Sequence, residues 1–242
     1  MIKKMMGVAL LALSIQAVQA ADNLYQTHYK EQNNGGLKSL QAHPDTKMYV
    51  SNHFDDDNIA MLEDGYDMMG SSGFESGSIA PHLALEHAMS IKADVVLVYS
   101  KYAAKQSPFS KLDMIKEAAK TTGEVDAESM KVEEVYKYYA SYWAKLPMPL
   151  LGLHVIKLKH KDKNSGAFVE DDGLKVLAVI KGSAAFKAGL KRGDVLLSIA
   201  GASVQTPAQL SQAVVKNKGK EVKITYTRDD VSATAQAMLR AQ

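Results

Sequence analysis

The chain has 242 residues, with 29 Lys+Arg against 27 Asp+Glu and no cysteine. The missing cysteine excludes disulfides, thiolate zinc sites and lipid attachment through a cysteine, and the length suits two domains better than one. Charge divides unevenly: residues 21–147 hold 12 basic against 19 acidic side chains, a net of −7, and residues 148–242 hold 15 against 8, a net of +7. Such a split favours docking of the two halves on each other, or acidic partners for the second half. The scattered lysines argue against nucleic acid.

Residues 1–20 read as a cleavable export signal. Lys3 and Lys4 give a positive start, Met5 to Ile15 is a short apolar run, and Val18-Gln19-Ala20 places small residues for cleavage after Ala20. A membrane span needs about 20 apolar residues, and Gln16 and Gln19 interrupt this one. The expectation is export with no stable membrane anchor after cleavage.

Residues 21–46, with Gln-Asn-Asn-Gly-Gly at 32–36, read as a loop-rich lead-in. Residues 47–145 read as a small α/β domain. Lys47 to Asn52 has an apolar strand core in Met48-Tyr49-Val50. Asp55-Asp56-Asp57-Asn58 suits the start of a helix that runs through Leu62 and stops at Gly65. Tyr66 to Gly70 reads as a strand entering a Gly70-Ser71-Ser72-Gly73-Phe74 turn. A helix is predicted from Ile79 to Ile91, with Pro81 in its first turn. Asp94 to Tyr99 is a β-branched run of buried-strand length. Strand, turn, helix and strand in this order form a βαβ-like pattern.

Ser107-Pro108 opens a predicted helix through Lys120, broken at Thr121 to Glu124. Val135 to Trp143 is ambiguous: its aromatic content favours a strand, while Tyr136, Tyr139 and Trp143 also fit a helical stripe. Lys145-Leu-Pro-Met-Pro149 is the natural hinge.

From residue 146 onward the pattern changes. Pro149-Leu-Leu-Gly-Leu-His-Val-Ile-Lys-Leu158 runs a glycine turn into a candidate strand. Ser183 caps a short helix that Gly189 ends, and Arg192-Gly193-Asp194 turns into a strand over Val195 to Ile199. Thr206-Pro207 with Gln209 makes a capping box for an amphipathic helix, and Glu221 to Thr227 alternates as a closing strand. This set resembles the PDZ domains of bacterial HtrA-type envelope proteases. The chain is accordingly read as α+β: an N-terminal α/β domain, then a PDZ domain over 146–242, a partly open β-barrel with two helices. Ala184 and Arg192 stand where related modules carry proline.

The resemblance implies capture of protein C-termini or extended peptide segments by strand addition. The turn would present backbone N–H groups to a carboxylate, the strand edge would pair, and the helix would wall the groove. Leu151, Gly152, Leu153, His154 and Val155 from the strand side, and Leu210, Ala213 and Val214 from the helix, are the candidate peptide-binding residues. Leu153 and Val155 share one strand face and His154, Ile156 and Leu158 the other. An adaptor of the bacterial periplasm, or one secreted beyond it, follows as the expectation.

Chemistry is poorly signalled. A protease of the related type carries a double β-barrel before its PDZ domain and a Gly-Asp-Ser-Gly segment, which residues 21–147 lack. Gly70-Ser-Ser-Gly-Phe74 is not a Gly-x-Ser-x-Gly elbow, and His82-Leu-Ala-Leu-Glu-His87 is one residue too long for His-x-x-Glu-His. On a helix His82 and His87 point about 140° apart. No catalytic residue, metal or cofactor is expected. The alternative is a hydrolase or metal-dependent enzyme built around Ser72, His82 and Glu86, with the PDZ domain delivering substrate.

Overall fold

The structure, a computed structural model, describes residues 22–32, 36–105, 116, 120 and 134–241. The export signal, the helix from Ser107 to Lys120 and the break at 121–124 lie outside the described residues, the isolated positions 116 and 120 excepted. The fold is mixed α+β. Five helices are described: α1 (Leu24–Thr27), α2 (Phe54–Glu63), α3 (His82–Ser90), α4 (Ala184–Lys187) and α5 (Pro207–Lys216).

The first sheet contains β1 (Tyr29–Glu31), β2 (Lys47–Ser51), β3 (Tyr66–Ser76), β4 (Val95–Lys105) and β5 (Glu134–Lys145), in the order β1-β3-β5-β4-β2. The βαβ unit is real but split: β5 inserts between β3 and β4 and runs antiparallel to both. Each face of this sheet is covered. Tyr138, Ala140, Tyr142 and Ala144 on β5 pack with Val96, Val98 and the α3 residues Ala84 and Ala88. Trp143 packs on the opposite face with Val95, Leu97, Tyr99 and the α2 residues Met61 and Leu62. A strand buried on both sides carries no polar face, which explains why Val135 to Trp143 reads ambiguously.

Two local expectations need correction. Gly70 to Phe74 is no turn; it continues β3, and β1 pairs across it with Tyr29 opposite Ser72 and Glu31 opposite Gly70. A Cβ on Gly70 would lie 2.5 Å from the Lys30 carbonyl, so glycine here serves the close approach of β1. The lead-in is also more than loop. Asn23 caps α1 through its side chain, and Tyr25 is fully buried in the α3 face of the sheet.

The second sheet holds β6 (Leu153–Ile156), β9 (Leu174–Val179), β10 (Val195–Ile199), β11 (Ala202–Ser203), β12 (Glu221–Arg228) and β13 (Val231–Met238). Its order is β13-β12-β10-β9-β6, with β11 off β10. A separate hairpin, β7 (Lys159–Lys161) with β8 (Phe168–Glu170), projects from the polar stretch after β6. Leu174, Leu196, Ile199, Val204, Ile224 and Leu239 form the centre of this core. Asp194, almost fully buried, accepts Arg228 Nε at 2.7 Å and Nη2 at 2.8 Å, and also the Lys191 amide at 2.8 Å. This two-pronged pair fixes the turn into β10.

Candidate peptide-binding groove

Among the described residues β6 is the last strand of its sheet, with one edge unpaired. The turn before it is set by Gly152, whose φ is +84°. Its carbonyl accepts the Ile180 amide at 3.0 Å, while the Leu151 carbonyl accepts the Ala185 amide at 2.9 Å. Among the described residues, the amides of Leu151 and Gly152 donate to no protein acceptor. Hydrogen-bonding direction alternates along an antiparallel strand. With the Gly152 carbonyl turned toward β9, the Leu153 N–H faces the free edge. Three successive amides are thus available at the start of β6.

Gly152 is needed for a reason the sequence does not reveal. A Cβ there would fall 2.2 Å from Ser183 Cβ, inside the domain and away from the groove. Ser183, almost fully buried, caps α4 by accepting the Phe186 amide at 3.2 Å and donates toward the Gly152 carbonyl at 3.4 Å. The glycine therefore seats the turn on the α4 cap; it does not make room for a ligand.

The opposite wall is α5. Thr206 Oγ1 accepts the Gln209 amide and Gln209 Oε1 accepts the Thr206 amide, so the capping box forms. Between α5 and β6 lies a groove of ≈ 470 Å³ lined by Pro149, Leu150, Leu151, Gly152, Leu153, Val155, Pro207, Leu210, Ser211, Val214 and Val215. Six of the eight candidate residues line it. Ala213 does not: it lies half-buried against the core. At 100° per residue, Pro207, Leu210, Ser211, Val214 and Val215 fall within one arc of α5, and Ala213 falls outside it on the core side. His154 points away with the other strand face, where burial pushes its pKa down and the Asp67 carboxylate partly opposes the shift. The candidate set leaves out Pro149 and Leu150 before the turn and Pro207, Ser211 and Val215 on α5; the helical wheel centred on Leu210 and Val214 points to the last three.

Residues 149–239 match the family model described as PDZ domain. Residues 149–239 are a PDZ domain. Among curated proteins, the chain is similar to two proteins named Serine protease Do-like HtrA, both from Lactococcus lactis. The one from subsp. cremoris (strain MG1363) is 33% identical over 101 residues, covering 39% of this chain and 25% of the relative. The one from subsp. lactis (strain IL1403) is 32% identical over the same length and with the same coverage. The chain therefore spans about a quarter of the length of these relatives. Among solved structures, the HtrA3 PDZ domain bound to a phage-derived ligand (FGRWV) has 16% identity and a TM-score of 0.31, covering 37% of this chain and 84% of that one. The HtrA-type protease AlgW with decapeptide has 18% identity and a TM-score of 0.33, covering 58% and 41%. A PDZ domain is a peptide-binding module that works by strand addition.

The enzyme alternative gains no assembled site among the described residues. Ser72 is fully buried in β3 and donates its hydroxyl proton to the Tyr25 carbonyl at 2.5 Å. His82 and Glu86 are exposed on α3, whereas His87 is buried between the rings of Tyr29 and Tyr142, centroids 4.8 and 5.0 Å away. Among the described residues no group of three or more His, Asp or Glu is placed to hold a metal.

Proposed function

We propose that this protein is an exported, non-enzymatic adaptor whose PDZ groove captures C-terminal or extended segments of envelope proteins. The observation that carries the reading is the apolar groove between α5 and the free edge of β6, with three unpaired amides at its closed end. A ligand carboxylate would accept from the amides of Leu151, Gly152 and Leu153. Its chain would pair with β6, and its last apolar side chain would enter between Leu151, Leu153, Leu210 and Val214. Three net hydrogen bonds at about 1 kcal/mol each, plus about 1.5–3 kcal/mol for one buried apolar side chain, come to about 4.5–6 kcal/mol before the ordering of the peptide is subtracted, so the affinity is no tighter than about tens of micromolar. Such a site recognises and releases.

Export rests on the pattern of residues 1–20, with cleavage after Ala20 and a periplasmic or secreted product. The acidic front domain and the basic PDZ domain act as one unit in this reading. The Lys181 amide on the Glu63 carbonyl and the Lys181 side chain on Asp64 support it. A C-terminal peptide library presented to the mature protein, and to residues 148–242 alone, tests the proposal. Enrichment of an apolar final residue is the expected result in both. Absence of enrichment in both would overturn peptide capture.

A further inference from the structure

The two edges of the first sheet are unlike. β1 is three residues long and carries the charges of Lys30 and Glu31, which suits an edge that must stay unpaired. β2 has none of these protections beyond Lys47. Its pairing with β4 runs without a bulge from Lys47 opposite Val95 to Ser51 opposite Tyr99, and nothing among the described residues pairs with its outer side. Its middle is apolar and open: Tyr49 is 56% and Val50 60% exposed. In β13, the edge of the other sheet, the exposed large apolar residues Val231 and Met238 stand only at the two ends.

The sequence around β2 is complementary to itself when reversed about Tyr49. Antiparallel pairing of two copies with Tyr49 on the two-fold axis sets Met48 against Val50 and Lys47 against Ser51 of the other copy. The register ends there: Asp45, just before the strand, is paired with Lys47 of its own copy, and His53 begins α2. Each opposed pair is apolar with apolar or polar with polar, and like charges never meet directly. A contact between identical patches requires this self-complementarity. An unrelated peptide would not require it.

We propose that β2 is a homodimer interface, pairing antiparallel with β2 of a second copy about Tyr49 so that the two five-stranded sheets become continuous. The contact is one short strand per copy, well below the roughly 1,200 Å² of total buried surface typical of stable complexes. The dimer is therefore weak, micromolar or weaker, and two linked PDZ grooves would gain avidity for clustered peptide ends.

Sedimentation of the purified protein from low micromolar to near-millimolar concentration tests this. The expected result is a monomer–dimer equilibrium that Val50→Lys weakens by about tenfold or more, with an unchanged circular dichroism spectrum because the side chain is exposed. Tyr49→Lys, which sets two like charges against each other at the two-fold axis, is expected to weaken the dimer as well. A monomer at every concentration would overturn the proposal and leave the edge to an extended segment of another protein. So would a dimer indifferent to Val50→Lys and to Tyr49→Lys.

Discussion

The amide of Lys181 donates to the carbonyl of Glu63 at 2.8 Å, so a backbone group two residues past β9 satisfies an orphan carbonyl in the last turn of α2. One residue earlier, the Ile180 amide holds the Gly152 carbonyl at 3.0 Å. The front domain is thereby one peptide unit from the turn that opens the groove. Gly65, with φ +78°, ends α2 and places its α-carbon face 3.4 Å from Ile180 Cγ2 for an added Cβ. Gly65→Ala is expected to cost about 1–2 kcal/mol from the left-handed backbone, and Asp64→Ala no more than about 1 kcal/mol, because its pair with Lys181 is exposed. Chemical denaturation of both variants checks the order; a larger loss in Asp64→Ala would show that the ion pair holds the seam.

Leu153→Asp is expected to abolish peptide binding while the domain stays folded. Leu153 is half-buried, lines the groove and only borders the core. A carboxylate there meets the incoming ligand carboxylate and removes an apolar wall worth about 1.5–3 kcal/mol. Titration with a peptide selected on the natural protein, alongside a thermal melt, separates lost binding from lost fold.

Gly152→Ala is expected to damage the fold as well as the groove. It combines a left-handed backbone, about 1–2 kcal/mol, with a Cβ that must displace Ser183, in the range of about 1–3 kcal/mol for overpacking. A clear drop in Tm is the expected reading. Normal stability with lost binding would show that the turn relaxes outward instead.

Tyr25 makes the lead-in part of the front domain. It is fully buried, stacks edge-on against Phe74 with centroids 5.0 Å apart, and its carbonyl accepts Ser72. Tyr25→Ala is expected to destabilise the domain by about 3–5 kcal/mol, the range for a large buried ring. An unchanged denaturation midpoint would return residues 22–32 to the status of a tether.

The contrast between the halves has a physical origin. The PDZ half announces itself through local signals that act over a few residues: the Thr206–Gln209 capping box, the Ser183 cap, and glycines at positive φ. The front half depends on pairings between distant residues. Nothing near Gly70 says that β1 will cross it, and nothing near Glu134 says that β5 will enter between β3 and β4. Ser72 and His87 are likewise buried by residues distant in sequence, Tyr25, Tyr29 and Tyr142. Even in the legible half, a helix stripe does not say which of its flanks meets the core, and Ala213 lies against the core while Ser211 and Val215 line the groove.

His87 gives the front domain a defined acid sensitivity. Among the described residues its Nε2 is buried without a hydrogen-bond partner and its Nδ1 has only Ser90 Oγ at 3.4 Å, and burial pushes its pKa below the ordinary histidine value. A proton therefore binds the unfolded chain more readily than the folded one, and stability rises with pH across the window between the two values. The contribution is complete above the unfolded value of about 6.5 and is lost as pH falls toward the depressed folded one. His154, also shifted down by burial, acts with the same sign in the PDZ domain. His87→Phe keeps the edge-to-ring contacts with Tyr29 and Tyr142 and removes the titration. The expected outcome is a smaller fall in denaturation midpoint between neutral pH and pH of about 5 in that variant than in the natural protein. An identical fall in both would mean that protonated His87 finds a partner, and that the acid response lies in His154 or the carboxylates.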